Sequence, residues 1–575
     1  MDRRRFLFGS GALGALAVLD ASRAVAQGRA DGAVSEARRV AWAAANTSPG
    51  ASEPLETASH DLTPYTGTWG DAQLRHLLRR SMFGVPPAQF AEAQGLGSMP
   101  AVIARLFQAA DVTKVPLPAQ PAAYLSEYLI PTKGDTTDAI NKARLDIFRQ
   151  QQLINWWFTL MASEHLSIRE KMTLFWTNHF VTGYSSVNHA AYMYTYLQTC
   201  RQYALGNLKT FTMAITTDPA MLYYLNGNQS YVNSKTSFVN ENYARELMEL
   251  FTLGLIDPVT GQPNYTESDV QNAARALTGW VPRTTAPFVG QLDPTRHDTG
   301  TKTFLGQTGN FGVPEIINII FSKGTPAGYT PAYFICQKLY AAFVYEVPDP
   351  QVVDAMAHLL INQNFEIAPV MQALLSSAHF YDVNVIGAQL KSPAEFAGSL
   401  VREFALSYPA FSSADPPVAS TDTTGSKTYT DPNPTLSLIT AALMGGIGQK
   451  LLEPPNVKGW PGGRNWISTG TFSTRENASN AALLNLYTNA KLNLALGFDP
   501  DRYATQLSGA TLMPAGTLSA TLTASSLSTP LDVLEAGDLK KLISRTYPEP
   551  NYKYESSDVG AFAVYLTSLP EFQLI

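Results

Sequence analysis

Residues 169–180 read REKMTLFWTNHF, and the spacing of their apolar residues is the strongest indication of the fold class. These apolar side chains recur at intervals of three and four residues: Met172, Phe175, Trp176 and Phe180. Such intervals place them on one face of an α-helix. The same spacing recurs at residues 71–82, 137–162, 189–204, 266–278, 331–344, 351–362, 367–377, 393–406 and 435–445. The sequence therefore predicts a mainly α, multi-helix globular protein with short strands and long loops.

His179 falls inside this apolar face rather than opposite it. The two ring nitrogens of a histidine are costly to bury without partners. Two interpretations follow from that cost. His179 is either a core histidine whose nitrogens meet a carbonyl or a carboxylate, or it is a metal ligand.

Residues 240–251 read NENYARELMELF and predict a second helix with two different faces. One face carries Ala244, Leu247, Met248 and Phe251, and the other carries Glu241, Asn242, Arg245, Glu246 and Glu249. Three carboxylates and an arginine on one face can bind a divalent cation or act as acid and base. The alternative, which the spacing alone favours, is a solvated face with the ion pairs Glu241–Arg245 and Arg245–Glu249.

The loop at residues 296–302 reads RHDTGTK and is the next candidate for a functional site, because sites concentrate in loops. His297 and Asp298 can supply metal ligands or a general base, and Lys302 can hold an anion. The alternative is a turn that Asp298 stabilises through its own backbone. The sequence leaves both interpretations open.

The connection at residues 453–466, EPPNVKGWPGGRNW, is dense in proline, glycine and tryptophan. This composition predicts a rigid, defined loop. Trp460 and Trp466 can wall a pocket, or they can cover the core as buried tryptophans usually do.

The N-terminus indicates export. Arg3 and Arg4 are followed by one spacer and then Phe6 and Leu7, which matches the twin-arginine pattern. A short Gly- and Ala-rich apolar stretch follows, and residues 24–26 read AVA, a small-x-small cleavage signal. We therefore expect cleavage after Ala26 and a periplasmic or extracellular protein that is exported in the folded state.

The net charge and the cysteine content argue against some classes of protein and of metal site. Loss of residues 1–26 removes four arginines and two aspartates, which changes the formal charge from −6 to −8. This balance argues against a non-specific nucleic-acid binder, which would need an excess of basic residues. Cys200 and Cys336 are too few for a structural zinc site made of thiolates, and their spacing does not show whether they pair. No later segment is long and apolar enough to predict a membrane span.

The chain divides into three parts on composition. Residues 1–26 are the predicted signal peptide, residues 27–68 are an N-terminal extension and linker, and residues 69–575 are a single large domain. Its length leaves one or two packed lobes open. Residues 412–434 are rich in Ser, Thr, Asp and Pro and predict a mobile, low-complexity surface insertion.

Seven segments of this domain, in the same order, resemble the large bacterial family catalogued as domain of unknown function 1800. They are residues 76–84, 169–180, 240–254, 274–280, 297–303, 391–396 and 454–460. The resemblance implies an exported, largely helical protein. It also implies a partner, because such proteins are often encoded beside an exported protein that resembles sulfatases and alkaline phosphatases. The family has no established activity or catalytic residues, so none are transferred to this chain.

The leading hypothesis is an exported protein with one polar site that can bind a divalent metal ion. In it the metal ligands are His179, Glu241 and Glu246, and the catalytic residues are Arg245, Glu246, Glu249, His297 and Asp298. Metal-assisted hydrolysis of an extracytoplasmic polymer or ester, with a carboxylate as base, fits this set best. The rival hypothesis is a non-catalytic binding or assembly protein that acts with an exported partner. The two separate on whether His179 and the glutamates meet within ligand distance.

Overall fold

The computed structural model describes residues 53–110, 127–233, 235–483, 488–489, 494–495, 567 and 570–575. The predicted signal peptide and its cleavage point, at residues 1–26, lie outside this part of the chain. All structural statements below concern the described residues.

Helices dominate the described part of the chain, as the sequence predicts. They are α1 (Asp71–Ser81), α2 (Pro87–Gly95), α3 (Met99–Ala110), α4 (Thr136–Ser163), α5 (Arg169–His179), α6 (Tyr184–Val187), α7 (Ala190–Gln202), α8 (Leu208–Thr216), α9 (Pro219–Tyr224), α10 (Asn242–Glu246), α11 (Glu267–Ala276), α12 (Val313–Ile320), α13 (Tyr329–Phe343), α14 (Pro350–Asn362), α15 (Ile367–Ser376), α16 (Pro393–Glu403), α17 (Pro434–Ser437) and α18 (Thr469–Leu483). Two of them continue as π-helices, α10 over Leu247–Thr252 and α17 over Leu438–Met444. The mainly α fold class is thus confirmed.

The strands of the described residues are short and pair only as antiparallel hairpins. These are β1 (Tyr231–Val232) with β2 (Ser237–Phe238), β3 (Trp280–Pro282) with β4 (Gly290–Leu292), β5 (Lys302–Phe304) with β6 (Gln307–Gly309), β7 (Val418–Thr421) with β8 (Lys427–Tyr429), and β9 (Thr488–Asn489) with β10 (Leu494–Ala495). The first four hairpins lie between consecutive helices of the described chain, and each sheet has only two strands.

The helix α5 lies in the core. Of its predicted apolar face, Met172, Trp176 and Phe180 are fully buried and Phe175 is partly buried. Its first turn is buried as well. There Glu170 forms an ion pair with Arg201 of α7, with 2.6 Å between the charged atoms. Buried apolar side chains from α1 to the C-terminal residues form one contiguous cluster, so the described helices share a single core.

The predicted mobile insertion at residues 412–434 differs from expectation. It lies at the surface, but it contains the hairpin β7–β8, which packs against α4. The Asn141 side chain donates to the Gly425 carbonyl at 3.0 Å and accepts from the Lys427 amide at 2.8 Å. Arg149 forms an ion pair with Asp415 at 3.0 Å. Polar composition predicted a loop because these contacts come from a helix more than 260 residues earlier.

The end of the predicted linker, residues 53–68, also differs from expectation. The Tyr65 amide donates to the Ser376 carbonyl at 2.8 Å, and the Ala378 amide donates to the Thr63 carbonyl at 2.8 Å. His60 contacts Asp349 at 2.5 Å. Residues 53–68 are therefore attached to the domain.

The sequence does not show whether Cys200 and Cys336 form a disulfide. Cys200 and Cys336 are both free and buried, so the described residues are not cross-linked to each other.

Among the described residues, no helix has the length and hydropathy that crossing a membrane requires.

Candidate functional site

The helix α10 and its π-helical continuation carry the glutamates that the sequence singles out. Ala244, Leu247, Met248 and Phe251 are buried, which confirms the predicted apolar face. On the opposite face Glu246 and Glu249 are only partly covered. The change to a π-helix at Leu247 is not visible in the apolar spacing. Single π-helical turns occur often at functional sites.

Arg245 pairs differently from the prediction. Its guanidinium contacts Glu241 at 3.3 Å, as expected, and Glu267 at the start of α11 at 2.7 Å. The predicted Arg245–Glu249 pair is not among the ion pairs of the described residues. The second partner of Arg245 is Glu267 instead. Because all three groups are well exposed, this is a surface ion-pair network that stabilises little.

Glu246 is the unusual member of this face. It is half-buried and has no hydrogen-bond partner among the described residues. Burial raises the pKa of its carboxyl above the usual range, and the neighbouring Glu249 raises it further, while Lys458 and Arg245 lower it. Glu249 in turn accepts a 3.4 Å hydrogen bond from the Tyr265 hydroxyl. The carboxyl groups of Glu246 and Glu249 are thus neighbours in a partly buried region, and Lys458 is the lysine that acts on Glu246.

The loop at residues 453–463 borders these glutamates. Glu453 accepts hydrogen bonds from the backbone amide of Ser185, at 2.9 Å, and from its hydroxyl. Tyr224 lies beside Glu453, since a Cβ placed on Gly183 would lie 3.2 Å from the Tyr224 ring and 3.6 Å from the Glu453 carboxylate. Burial raises the pKa of Tyr224, and Glu453 and Glu246 raise it further. We call this group the carboxylate site; its members are Tyr224, Glu246, Glu249, Tyr265, Glu453 and Lys458.

His179 meets a backbone carbonyl rather than the glutamates. Its Nε2 lies 3.0 Å from the Phe251 carbonyl, and its Nδ1 lies 3.4 Å from the Lys338 ammonium, which also donates to the Leu250 carbonyl at 2.7 Å. These carbonyls end the π-helix and would otherwise lack partners. Burial lowers the pKa of His179 well below its usual value, so the ring is neutral. The core-histidine interpretation therefore holds, and both nitrogens are occupied.

The proposed metal ligands are not assembled. The part of the chain that the structure describes contains no group of three or more His, Cys, Asp and Glu side chains that could hold a metal ion. His179 faces the carbonyl end of the π-helix, Glu241 pairs with Arg245, and Glu246 faces Glu249 and Lys458. The residues of the predicted set do not fit a metal centre, and no metal is assigned to them here.

The loop at residues 296–302 forms a separate group. Asp298 pairs with Arg275 at 2.7 Å, and the His297 Nδ1 lies 3.0 Å from the Thr278 carbonyl. Lys302 is buried and donates to the carbonyls of Asp298 and Gly300, which leaves it no place for an anion. These contacts support the turn interpretation.

The predicted single polar site is therefore divided in two. The His297–Asp298 loop packs at the C-terminal end of α11, while Arg245 pairs with Glu267 at its N-terminal end. A helix of ten residues separates its two ends by about 15 Å. The structure brings Glu246 and Glu249 together, and it does not bring His179, His297 or Asp298 to them.

Sequence reasoning passed over several residues that the structure places at or near the carboxylate site. Glu453 and Lys458 lie in a loop that the sequence singled out for its tryptophans, yet Trp460 and Trp466 are buried and cover the core. Asn178 reaches the same loop. The glycine at position 459, directly after Lys458, is the signal that could have drawn attention to a close approach there.

Comparison with known proteins adds one relationship. The sequence model of a protein family described as "Protein of unknown function (DUF1800)" matches residues 76–574. No curated protein and no solved structure matches the chain.

Proposed function

The chain belongs to DUF1800, a family of proteins of unknown function, so its activity must be inferred from its own residues, and we propose that the carboxylate site is a general acid–base centre. The protein would act outside the cytoplasm as a hydrolase of a polymer or ester. The twin-arginine pattern at residues 3–7 supports the location. The chemistry rests on Glu246.

The observation that carries the proposal is the environment of Glu246. A carboxyl that is half-buried, unpartnered among the described residues and next to a second carboxylate holds its proton to a higher pH than usual. Glu249 differs from it in surroundings, because its carboxylate accepts a hydrogen bond from the Tyr265 hydroxyl. Two neighbouring carboxyls in different surroundings are the arrangement that hydrolases use for an acid and a base.

The two roles follow from this difference. Glu249 accepts a proton from the attacking water, and the hydroxide adds to the electrophilic carbon of the substrate. Glu246 donates its proton to the leaving oxygen as the carbon–oxygen bond breaks. The two glutamates then exchange a proton through solvent, so that one water is consumed and no other reactant is required.

We expect Glu246→Gln and Glu249→Gln each to lower kcat by about 10²- to 10⁴-fold, the usual contribution of a general acid or base. The measurement is the pH dependence of hydrolysis over a panel of chromogenic esters and glycosides, with the purified mature protein. Glu241→Gln is the matched control, since it removes a carboxylate from the same helix that only pairs with Arg245 at the surface. Full activity in both glutamine variants would remove the acid–base assignment.

The electrostatics of Glu246 also predict an effect on stability that needs no substrate. The pKa of Glu246 is raised in the folded state, so at intermediate pH the folded protein binds more protons at this carboxyl than the unfolded chain does. The free energy of unfolding therefore decreases as pH rises through the folded pKa of Glu246. Glu246→Gln is therefore expected to raise Tm near neutral pH by roughly 1–2 °C. The gain should vanish at about pH 3, well below the unfolded pKa of about 4.3, where the carboxyl is protonated in both states. Thermal melts at the two pH values check this.

A second candidate function is assembly with an exported partner. Two observations favour it. His179 contacts the Phe251 carbonyl rather than the glutamates. Ile130, Ile140 and Ile147 are exposed, and the last two lie seven residues apart on one face of α4. The partner would be the co-encoded exported protein that resembles sulfatases and alkaline phosphatases. Ile147→Glu should then abolish co-purification of that partner, whereas it should leave hydrolysis unchanged if the acid–base proposal is right.

A further inference from the structure

The end of the π-helix that carries Glu249 is bound by side chains from distant parts of the chain. Lys338 of α13 donates to the Leu250 carbonyl at 2.7 Å, and the His179 Nε2 lies 3.0 Å from the Phe251 carbonyl. The carbonyls at the end of a helix have no partners within the helix. The end of this π-helix is therefore held by α13 and α5 rather than by its own backbone.

A second residue of α13 contacts the same helix end. Phe334 lies one turn before Lys338, and the Lys338 ammonium is 4.5 Å from the centre of the Phe334 ring. A Cβ placed on Gly254 would lie 3.0 Å from that ring, and the φ of Gly254 is +73°, a backbone conformation that favours glycine. The Asn264 side chain donates to the carbonyls of Leu253 and Gly254, at 2.9 and 3.1 Å. Contacts from α5, α13 and the loop before α11 thus fix where this helix ends.

The start of the same helix is fixed by other contacts. Tyr243 is buried, and its hydroxyl donates to the Thr216 hydroxyl of α8 at 2.8 Å. Between the two fixed ends, the Leu253 amide donates to the Met248 carbonyl, five residues back, at 2.8 Å. Such a turn holds one residue more than an α-turn, and it is rare in proteins. The fixed ends are therefore what keep the extra residue in the helix.

The π form of the helix determines where Glu249 points. Glu249 lies inside the π-helix Leu247–Thr252, and its carboxylate accepts the 3.4 Å hydrogen bond from the Tyr265 hydroxyl. Tyr265 directly precedes Thr266, the N-cap of α11, so its backbone is placed by α11. If the π-turn became an α-turn, the side chains on its two sides would turn relative to each other by one helical position, about 100°. Glu249 would then leave Tyr265.

We propose that Lys338 is a positioning residue for the carboxylate site: by binding the Leu250 carbonyl, it keeps the helix in the π form that sets Glu249 against Tyr265. The inference rests on the proposed acid–base function for its effect on hydrolysis, whereas its effect on the helix rests on the contacts alone. Lys338 is not a catalytic residue, because its ammonium is occupied by the Leu250 carbonyl and the His179 Nδ1.

The test compares crystal structures of the purified mature protein and of its Lys338→Met variant, in which the side chain keeps its length and loses its donor. We expect the Leu253 amide to move from the Met248 carbonyl to the Glu249 carbonyl, its α-helical partner. The Tyr265–Glu249 hydrogen bond should be lost. The kcat for hydrolysis of chromogenic esters and glycosides should fall by about 10²-fold with KM unchanged, because a misplaced catalytic group slows the chemical step.

Two further variants make the outcome decisive. Lys142→Met on α4 is the matched control, since the Lys142 ammonium also donates to a backbone carbonyl at 2.7 Å, that of Ile130. It should leave the π-helix and kcat unchanged. Asn264→Ala uncaps the next two carbonyls of the same helix end, so it should have the same two effects as Lys338→Met and serves if that variant fails to fold.

The inference is wrong if the folded variant keeps the π-helix and the Tyr265–Glu249 hydrogen bond. It is also wrong if the helix relaxes and kcat stays at the wild-type value while Glu249→Gln lowers kcat. Failure of the acid–base proposal is a separate result, namely undiminished hydrolysis by Glu249→Gln. In that case the two crystal structures still decide whether Lys338 holds the π form.

Discussion

Replacing Glu395 with glutamine is expected to destabilise the protein by about 3–5 kcal/mol, the cost of leaving buried charge without its partner. Glu395 is 8% exposed and lies at the start of α16, where it forms an ion pair with Lys171 of α5. Its charge also favours the charged forms of three other buried cations, Arg80, Lys391 and Arg475. The carboxylate of Glu395 therefore interacts favourably with four buried cations: Lys171, Arg80, Lys391 and Arg475.

The pKa values of these cations show how far they depend on Glu395. Burial lowers the pKa of Arg80 to about 9, that of Lys391 to about 8 and that of Arg475 to about 10, and Glu395 opposes the fall in each case. Without the charge of Glu395 the pKa values of these cations fall further, because burial is then opposed less. A glutamine keeps the shape of the side chain, so the effect measured is that of the charge.

The variant is to be compared with wild type by urea unfolding near neutral pH. Glu267→Gln is the control, because it breaks an ion pair at the surface, where about 0–1 kcal/mol is expected. The double variant Glu395→Gln/Lys171→Met should recover part of the loss, since it removes one unpaired cation. A loss below about 1 kcal/mol in Glu395→Gln would mean that the four cations do not rely on this carboxylate.

The pH dependence has a definite sign. Its cationic and hydrogen-bonding partners hold the pKa of Glu395 below its usual value in the folded protein, even though burial acts in the opposite direction. Its contribution is therefore present above the unfolded pKa of about 4.3 and is lost as pH falls through the folded value. The difference in the free energy of unfolding between wild type and Glu395→Gln should accordingly become smaller as the pH is lowered.

This cluster marks a limit of what apolar spacing can predict. Periodicity identified α5 and its buried face because Met172, Trp176 and Phe180 are apolar. It assigns charged residues to the surface, so it could not place Arg80, which is fully buried. The partners of Arg80 come from distant parts of the chain, and no local pattern encodes such pairing.

The candidate site shows the same limit in another form. The spacing of residues 240–251 gave the correct apolar face and the correct polar face. It could not say that Arg245 meets Glu267 rather than Glu249, or that His179 meets the Phe251 carbonyl rather than a glutamate. A face is a local property of a helix, whereas a partner depends on how helices pack. The proposed single site failed for this reason.

Replacing Arg3 and Arg4 together with lysine is expected to stop export and leave the full-length precursor in the cytoplasm. Lysine keeps the charge but lacks the planar, five-donor guanidinium that makes arginine pairs recognisable, so charge alone should not suffice. The twin-arginine route, which we predict for this chain from residues 3–7, carries folded proteins. Glu395 interacts with both Arg80 and Arg475, so this buried cluster forms only after most of the chain has been made.

Cell fractionation measures the result, with the N-terminal residue of the periplasmic protein read by sequencing. Wild type should yield a chain that begins at Gln27, and the double lysine variant should reduce the periplasmic amount at least about tenfold, because the receptor reads the arginine pair itself. Arg23→Lys is the matched control, since it changes an arginine of the same segment outside the pair. Normal periplasmic yield from the double variant would contradict the twin-arginine assignment. The acid–base proposal would survive that result, because the surroundings of Glu246 do not depend on how the protein reaches its compartment.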